Sequence, residues 1–341
     1  MFKSTVPKSG FRSCFVGRIA ISFLTILFAF SASAQQGDDD GASRPTSSAE
    51  PTSASEAAPR STVRFRGFQN ATEDVPLMSD NWKVSFFQLA SVEADRLDDD
   101  NTASWFFLNF FSFNYKIDED SRFAIRPVFR LESPGRNQFN DEVSQWNFTW
   151  DDWYVNYSRF NMFEIGPFGT RANLRLYAPT SEFSQDAGLI TRIRPEFFME
   201  TSMGRNSGIE FQFRGDYFFN SKRATVIKKP NGDQIRITNR EAEFQTVVEY
   251  KYRVNRRFWL KPRVGWFDEW NLSSPENGLR SRHTQDFQAA MGVEIRPNDQ
   301  FNTTLQYGNQ TRIYSNQRNF RRQKMWLPEN NEIVALTNYR F

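Results

Sequence analysis

The chain closes on NEIVALTNYRF, Asn331 to Phe341. Counted back from the end, Phe341, Tyr339, Thr337, Ala335 and Ile333 share one face of a strand. Arg340, Asn338, Leu336, Val334 and Glu332 share the other. Successive strand side chains point to opposite faces, so an aromatic and aliphatic row meets one medium and a mixed row meets another. Two folds satisfy this. One is the last strand of a soluble sheet, with its apolar face on a core. The other is a membrane-crossing strand with that face on lipid. Periodicity alone does not separate them.

The same alternation recurs upstream. Phe123, Ile125, Pro127, Phe129 and Leu131 interleave with Arg122, Ala124, Arg126, Val128 and Arg130. Ala242, Phe244, Thr246, Val248, Tyr250 and Tyr252 interleave with Glu241, Glu243, Gln245, Glu249, Lys251 and Arg253. Twelve such segments can be counted, at 82–92, 104–117, 121–133, 143–157, 169–178, 189–200, 207–219, 241–254, 257–269, 284–296, 300–314 and 331–341. Each is about as long as a tilted transmembrane strand. The connections add an independent pattern. Transmembrane barrels have short turns on one side and longer loops on the other. Counting back, 315–330 is long, 297–299 short, 270–283 long, 255–256 short, 220–240 longest and 201–206 short. Further back, 179–188 and 134–142 are long and 118–120 is short; only 158–168 is longer than a turn should be. A soluble sandwich has no reason to alternate in this way. The expected fold is all-β: a closed antiparallel transmembrane β-barrel of about 12 strands, occupying 82–341.

The closing strand, with Phe341 last and Tyr339 two positions before it, resembles the C-terminal strand of Gram-negative outer-membrane β-barrel proteins. The resemblance implies that Phe341 and Tyr339 form an assembly signal read by the barrel assembly machinery. It also implies an integral position in outer-membrane lipid. With Phe341 on the periplasmic side, the connection pattern makes both termini periplasmic. The longest loop carries Asn231-Gly232, a tight-turn dipeptide, flanked by Val226-Ile227 and Ile235 to Ile237. This is either a hairpin projecting beyond the membrane or two further staves, making fourteen. Arg126-Pro127, Arg194-Pro195 and Lys261-Pro262 put proline inside strands. Proline cannot donate to a ladder, so bulges or strand ends are expected there.

The N-terminal region reads differently. Residues 1–34 have a basic start (Lys3, Lys8, Arg12, Arg18), an apolar run IAISFLTILFAF from Ile19 to Phe30, and Ala32-Ser33-Ala34 as a cleavage site. These are the parts of a secretory signal peptide. Residues 35–60 hold no aromatic residue and little aliphatic surface beyond alanine. Such a segment cannot offset its own ordering entropy and reads as a disordered periplasmic linker. Residues 61–81 are ambiguous: a short strand, a segment tucked into the lumen, or an extension of the barrel. The chain holds 43 basic and 40 acidic residues. Without the four basic residues of the leader the balance is slightly acidic, which removes the electrostatic basis for nucleic-acid binding. The only cysteine, Cys14, lies in the same leader, so the remainder has no thiol chemistry. No apolar run after the leader is long enough for a membrane helix, which leaves a barrel open. Phenylalanine accounts for 36 of 341 residues, and a barrel needs aromatic girdles.

The polar strand faces would line the lumen. They offer Arg122, Arg126, Arg130, Arg171, Arg175, Arg192, Arg194, Glu196 and Arg214, with Glu241, Glu243 and Glu249 on the far side. Arg ladders favour anions and bind carboxylate or phosphate bidentately. The expected function is an outer-membrane porin for passive diffusion of small solutes, anions among them. Strand count and charge pattern resemble those of twelve-stranded, arginine-tracked barrels that pass acidic oligosaccharides, a likeness at the level of fold. The alternative is that the Arg and Glu walls pair across the lumen and close it, leaving a structural anchor or a platform for surface loops. A second alternative is an outer-membrane phospholipase or protease using His283, the only histidine, with Ser281, Thr284 and Asp286 near it in sequence. It lacks the His-x-Ser pattern of that phospholipase family, because the chain reads His283-Thr284-Gln285. Asp98-Asp99-Asp100 and Asp118-Glu119-Asp120 lack calcium-loop spacing. No metal motif, phosphate loop or dinucleotide fingerprint is visible, so no cofactor and no metal are expected. Solute and oligomeric state are left open.

Overall fold

The computed structural model describes residues 81–94, 104–136, 142–228, 234–275, 278, 280–316 and 331–341. The signal, the linker, nearly all of 61–81, the Asp98 cluster, the Asn231-Gly232 turn and most of 315–330 lie outside the described residues.

Twelve antiparallel staves close into a barrel. The first two are β1 (Trp82–Glu93) and β2 (Phe106–Lys116). The third is β3 (Ser121–Arg126) continued by β4 (Val128–Glu132). A small hairpin follows, β5 (Gly135–Arg136) with β6 (Glu142–Val143). The fourth stave is β7 (Asn147–Trp150) continued by β8 (Trp153–Ile165), and the fifth is β9 (Phe168–Ala178). A short helix, α1 (Glu182–Asp186), leads to β10 (Leu189–Ser202) and β11 (Ser207–Asn220). A separate hairpin comes next, β12 (Ala224–Lys228) with β13 (Gln234–Thr238). The last five staves are β14 (Arg240–Arg253), β15 (Phe258–Asn271), β16 (Arg282–Ile295), β17 (Phe301–Ser315) and β18 (Asn331–Arg340). Each stave pairs with its neighbours in the chain. The ring closes where β1 meets β18, from Ser85 opposite Arg340 to Glu93 opposite Glu332. Closure leaves the staves without the unpaired edge that an open sheet exposes.

The turns explain how the ring winds. Connections 117–120, 166–167, 203–206, 254–257 and 296–300 are all short and all lie at the rim that holds Trp82 and Phe341. Longer connections occupy the other rim. The stave expected at 143–157 runs on to Ile165, so the long 158–168 connection is a correction: it reduces to Gly166-Pro167. A register shift between Phe160 and Glu164 hides the strand from a period-two reading. Asn161 takes φ 49 inside that shift, and its Nδ2 donates to Asp120 Oδ1 at 2.7 Å. Gly166 takes φ 56, a left-handed conformation that glycine adopts without steric cost.

Two further expectations resolve. The hairpin β12–β13 forms its own two-stranded sheet and adds no staves, so the barrel has twelve rather than fourteen. Proline behaves less disruptively than expected. Pro127 does interrupt its stave. Pro195 and Pro262 instead sit within β10 and β15 at unshifted register, opposite Leu174 and Met291. Each costs a single missing donor. Gly215 stands beside Pro195, where a Cβ would make only ordinary van der Waals contact with the proline Cγ, at 3.9 Å.

Register assigns the faces. Ile125, Leu174, Leu176, Val264, Trp266 and Met291 are exposed on one face all round the ring. An apolar belt of this extent is not tolerated by a water-soluble monomer, and it is what lipid requires of a transmembrane barrel. The opposite face is interior, and it carries the charges.

Candidate functional site

The interior wall has two contrasting halves. The ionic half spans β9 to β17. Asp216 on β11, its side chain at 0% exposure, collects Arg194 at 2.6 Å, Arg214 at 3.4 Å and Arg192 at 3.6 Å. Glu196 accepts from Arg175 Nη2 and Asn173 Nδ2, both at 2.9 Å. A second chain starts where Glu210 accepts from Lys251 at 2.8 Å and Arg171 at 3.2 Å. It continues through Lys261, which lies 3.0 Å from Glu249 and 3.3 Å from Glu294, and ends on Arg296 beside Glu294. Cross-strand register produces these pairs: Arg194 and Asp216 stand next to each other on the interior of β10 and β11, as do Glu196 and Arg214. Burying such charges is costly, and breaking one partner away typically costs about 3–5 kcal/mol.

The second half surrounds the closing seam, on β1, β2, β4 and β18. Here the interior face has an apolar stretch, Phe87, Leu89, Leu108, Phe110, Val334 and Leu336, bordered by Ser112, Asn338, Arg130 and Glu332. Phe87 and Phe110 stack at 4.6 Å and 22°. Leu108 and Phe110 pack on Val128, Tyr154 and Tyr177. Between the halves runs a cross-strand row, Arg126–Tyr154–Tyr177–Arg192. The two tyrosine rings lie 4.7 Å apart. The Arg192 guanidinium sits 3.6 Å above the Tyr177 ring, and that of Arg126 lies 5.5 Å from the Tyr154 ring. Cation–π attraction of this kind contributes more where water is excluded.

The expected interior residues take specific places. Arg122 lies over Phe160 at 5.1 Å. Arg126 donates to Ser112 Oγ at 2.9 Å and Tyr154 OH at 3.2 Å. Arg130 pairs with Asp151 at 2.7 Å. Arg171, Arg175, Arg192, Arg194 and Arg214 meet the acids of adjacent staves. Glu243 is held by Arg240, with Arg214 at 3.9 Å, and Glu249 by Lys261. Glu241 is exposed beside the register shift between Arg240 and Ala242. The expected facing of an Arg wall by a Glu wall is therefore replaced by ladders running along one wall. Lys261, Glu294, Tyr154, Tyr177 and the apolar seam were missed. Basic or acidic residues at interior positions of β15 and β16 would have revealed the first two; β2 is apolar on both faces and gave no signal.

Tyr339 and Phe341 lie on the outer face, 37% and 40% exposed, with rings 4.9 Å apart. His283 also points outward. Its ring stacks on Trp270 at 4.8 Å and its Nε2 lies 3.2 Å from Asp268 Oδ1. Thr284 and Asp286 turn to the interior, where Asp286 pairs with Arg312 at 2.9 Å. The carboxylate beside the histidine is thus Asp268, not the Asp286 that sequence proximity offered. Asp118 and Asp120 bind Arg159 and Asn161.

No protein-family model matches the sequence, and no curated protein matches it. Solved structures do resemble it. An outer membrane channel from Pseudomonas putida F1 is 10% identical with a TM-score of 0.49, over 79% of this chain and 98% of that one. The NanC porin is 10% identical with a TM-score of 0.41, over 76% and 100%. The β domain of the Bordetella autotransporter BrkA is 11% identical with a TM-score of 0.41, over 77% and 100%.

Proposed function

We propose that this protein is an integral outer-membrane channel for passive diffusion of small solutes, with anions preferred. The observation that carries the reading is the closed ring of twelve staves, apolar outside and charged inside. Lipid requires the first property and a water-filled passage uses the second. Anion preference is supported by the guanidinium groups around Tyr154 and Tyr177, which outnumber the carboxylates there among the described residues. In this reading residues 1–34 direct export, 35–60 form a periplasmic linker, and the short-turn rim with Trp82 and Phe341 faces the periplasm. Tyr339 and Phe341 are recognised by the assembly machinery, and no catalytic group takes part. Purified protein in a planar bilayer tests this. Discrete conductance steps and a reversal potential favouring chloride over potassium are expected; no current, or cation preference, overturns it.

A second reading has its own support. Asp216 has no exposed side-chain surface, so the ionic half is a packed structure as much as a passage. A closed anchor predicts no current together with surface accessibility of the β12–β13 hairpin.

A further inference from the structure

The charges around the two stacked tyrosines do not balance. Among the described residues, the Arg126 and Arg175 guanidiniums lie 5.5 and 5.3 Å from the Tyr154 ring and those of Arg192 and Arg194 lie 3.6 and 5.2 Å from the Tyr177 ring, while Glu196 and Asp216 are the carboxylates nearest them, Asp216 also taking Arg214. Glu243 reaches only Arg214, at 3.9 Å, and is held by Arg240. A surplus of positive charge in a partly desolvated wall is unfavourable and is relieved by an anion from outside the chain. Arg126 is where such an anion has access. Its hydrogen-bond partners are the neutral hydroxyls of Ser112 and Tyr154. It is half-buried, as are Arg192, Arg194 and Arg214, but those three are held by the Asp216 carboxylate.

The neighbours of Arg126 on that side are apolar. Its guanidinium lies 5.3 Å from the Phe110 ring, and Phe110 stacks on Phe87. Leu108, Leu89 and Leu336 continue the surface in one cross-strand row. The side chains of Phe87, Phe110, Leu89 and Leu108 carry no donors or acceptors and favour a flat apolar body, with the Arg130 guanidinium next in the row beyond Leu108. A guanidinium beside it supplies charge-assisted hydrogen bonds to a carboxylate.

We infer that Arg126, with Phe87, Phe110 and Leu108, forms a binding subsite for a ring-bearing carboxylate, the carboxylate on Arg126 and the ring on the apolar seam. Its role as a selectivity site on a permeation route rests on the channel reading; the binding itself does not. The test is equilibrium binding to the full chain folded in detergent micelles, with benzoate, acetate, inorganic phosphate and benzyl alcohol as probes. Benzoate is expected to bind about tenfold more tightly than each of the others, since each lacks either the ring or the charge. Arg126→Gln lowers benzoate affinity to that of benzyl alcohol. Phe110→Leu weakens benzoate several-fold and leaves acetate unchanged. Equal affinities across the four probes, or benzoate binding unaffected by Arg126→Gln, overturn the assignment. Should a variant not fold, the probe series on the unaltered protein decides alone. Benzoate binding without bilayer current sinks the channel and keeps the subsite; current without benzoate preference does the reverse.

Discussion

The ionic half of the interior wall and the seam half are built from the same strand geometry, yet they hold together by opposite means. In the ionic half, Asp216 and Glu210 each gather cations from neighbouring staves. Those side chains are specified by partners: remove one and another is stranded. Around Phe87, Leu89, Leu108 and Phe110, contacts are apolar and tolerant of small changes in shape. The contrast places partner-specific charge pairs on one side and non-directional apolar contacts on the other.

Four experiments strain this comparison, in descending order of effect. Deleting Phe341 is expected to remove most of the folded protein from the outer membrane, far more than Arg175→Gln does, as read by heat-dependent mobility of membrane fractions. Equal yields would detach the seam strand from assembly. Asp216→Asn leaves three guanidinium groups without their carboxylate and is expected to cost about 3–5 kcal/mol in urea unfolding from lipid vesicles. A loss below about 1 kcal/mol would mean that water already screens the ladder. Phe87→Ala, in the half-buried seam, should cost about 1–3 kcal/mol through lost apolar burial; a larger loss would make the seam as unforgiving as the ladder. Smallest of all is Thr337→Val on the outer face, where the hydroxyl meets Thr303 Oγ1 at 3.1 Å. Its expected effect stays within about 0.5 kcal/mol.

Much of this was legible in advance, for physical reasons that differ between elements. β14 and β16 alternate cleanly because one face meets lipid and the other meets charge. Their bounds follow from spacing to within two residues, and their faces follow except at Glu241, where the shift between Arg240 and Ala242 breaks the phase. The fourth stave was not legible past 157, because the shift at Asn161 puts Phe160 and Met162-Phe163 out of phase. β2 gave strand type but no faces: Phe107, Phe111 and Phe113 face out while Phe106, Leu108 and Phe110 face in. Hydrophobicity cannot mark the inside where the inside is apolar too. The interior arginines were found as residues, but their partners were not. Pairing of Arg194 with Asp216 depends on the stagger between two staves, and the sequence of either one alone does not contain it.

The ring of staves has no first member. β1 meets β18 by the same antiparallel ladder that joins any other pair, and the Phe341 N–H donates to Val84 O at 3.2 Å. Trp82 and Phe341 sit at one rim. Joining them covalently and cutting between β12 and β13 would preserve every stave pairing while moving both chain ends to the opposite rim. Such a circular permutant, with residues 1–34 carried at its new N-terminus, should refold in detergent with unchanged secondary structure and yet be assembled poorly in the membrane of cells, because Phe341 would no longer be terminal. In that outcome cyclic order would carry the shape, and the place where the cycle is opened would carry the address.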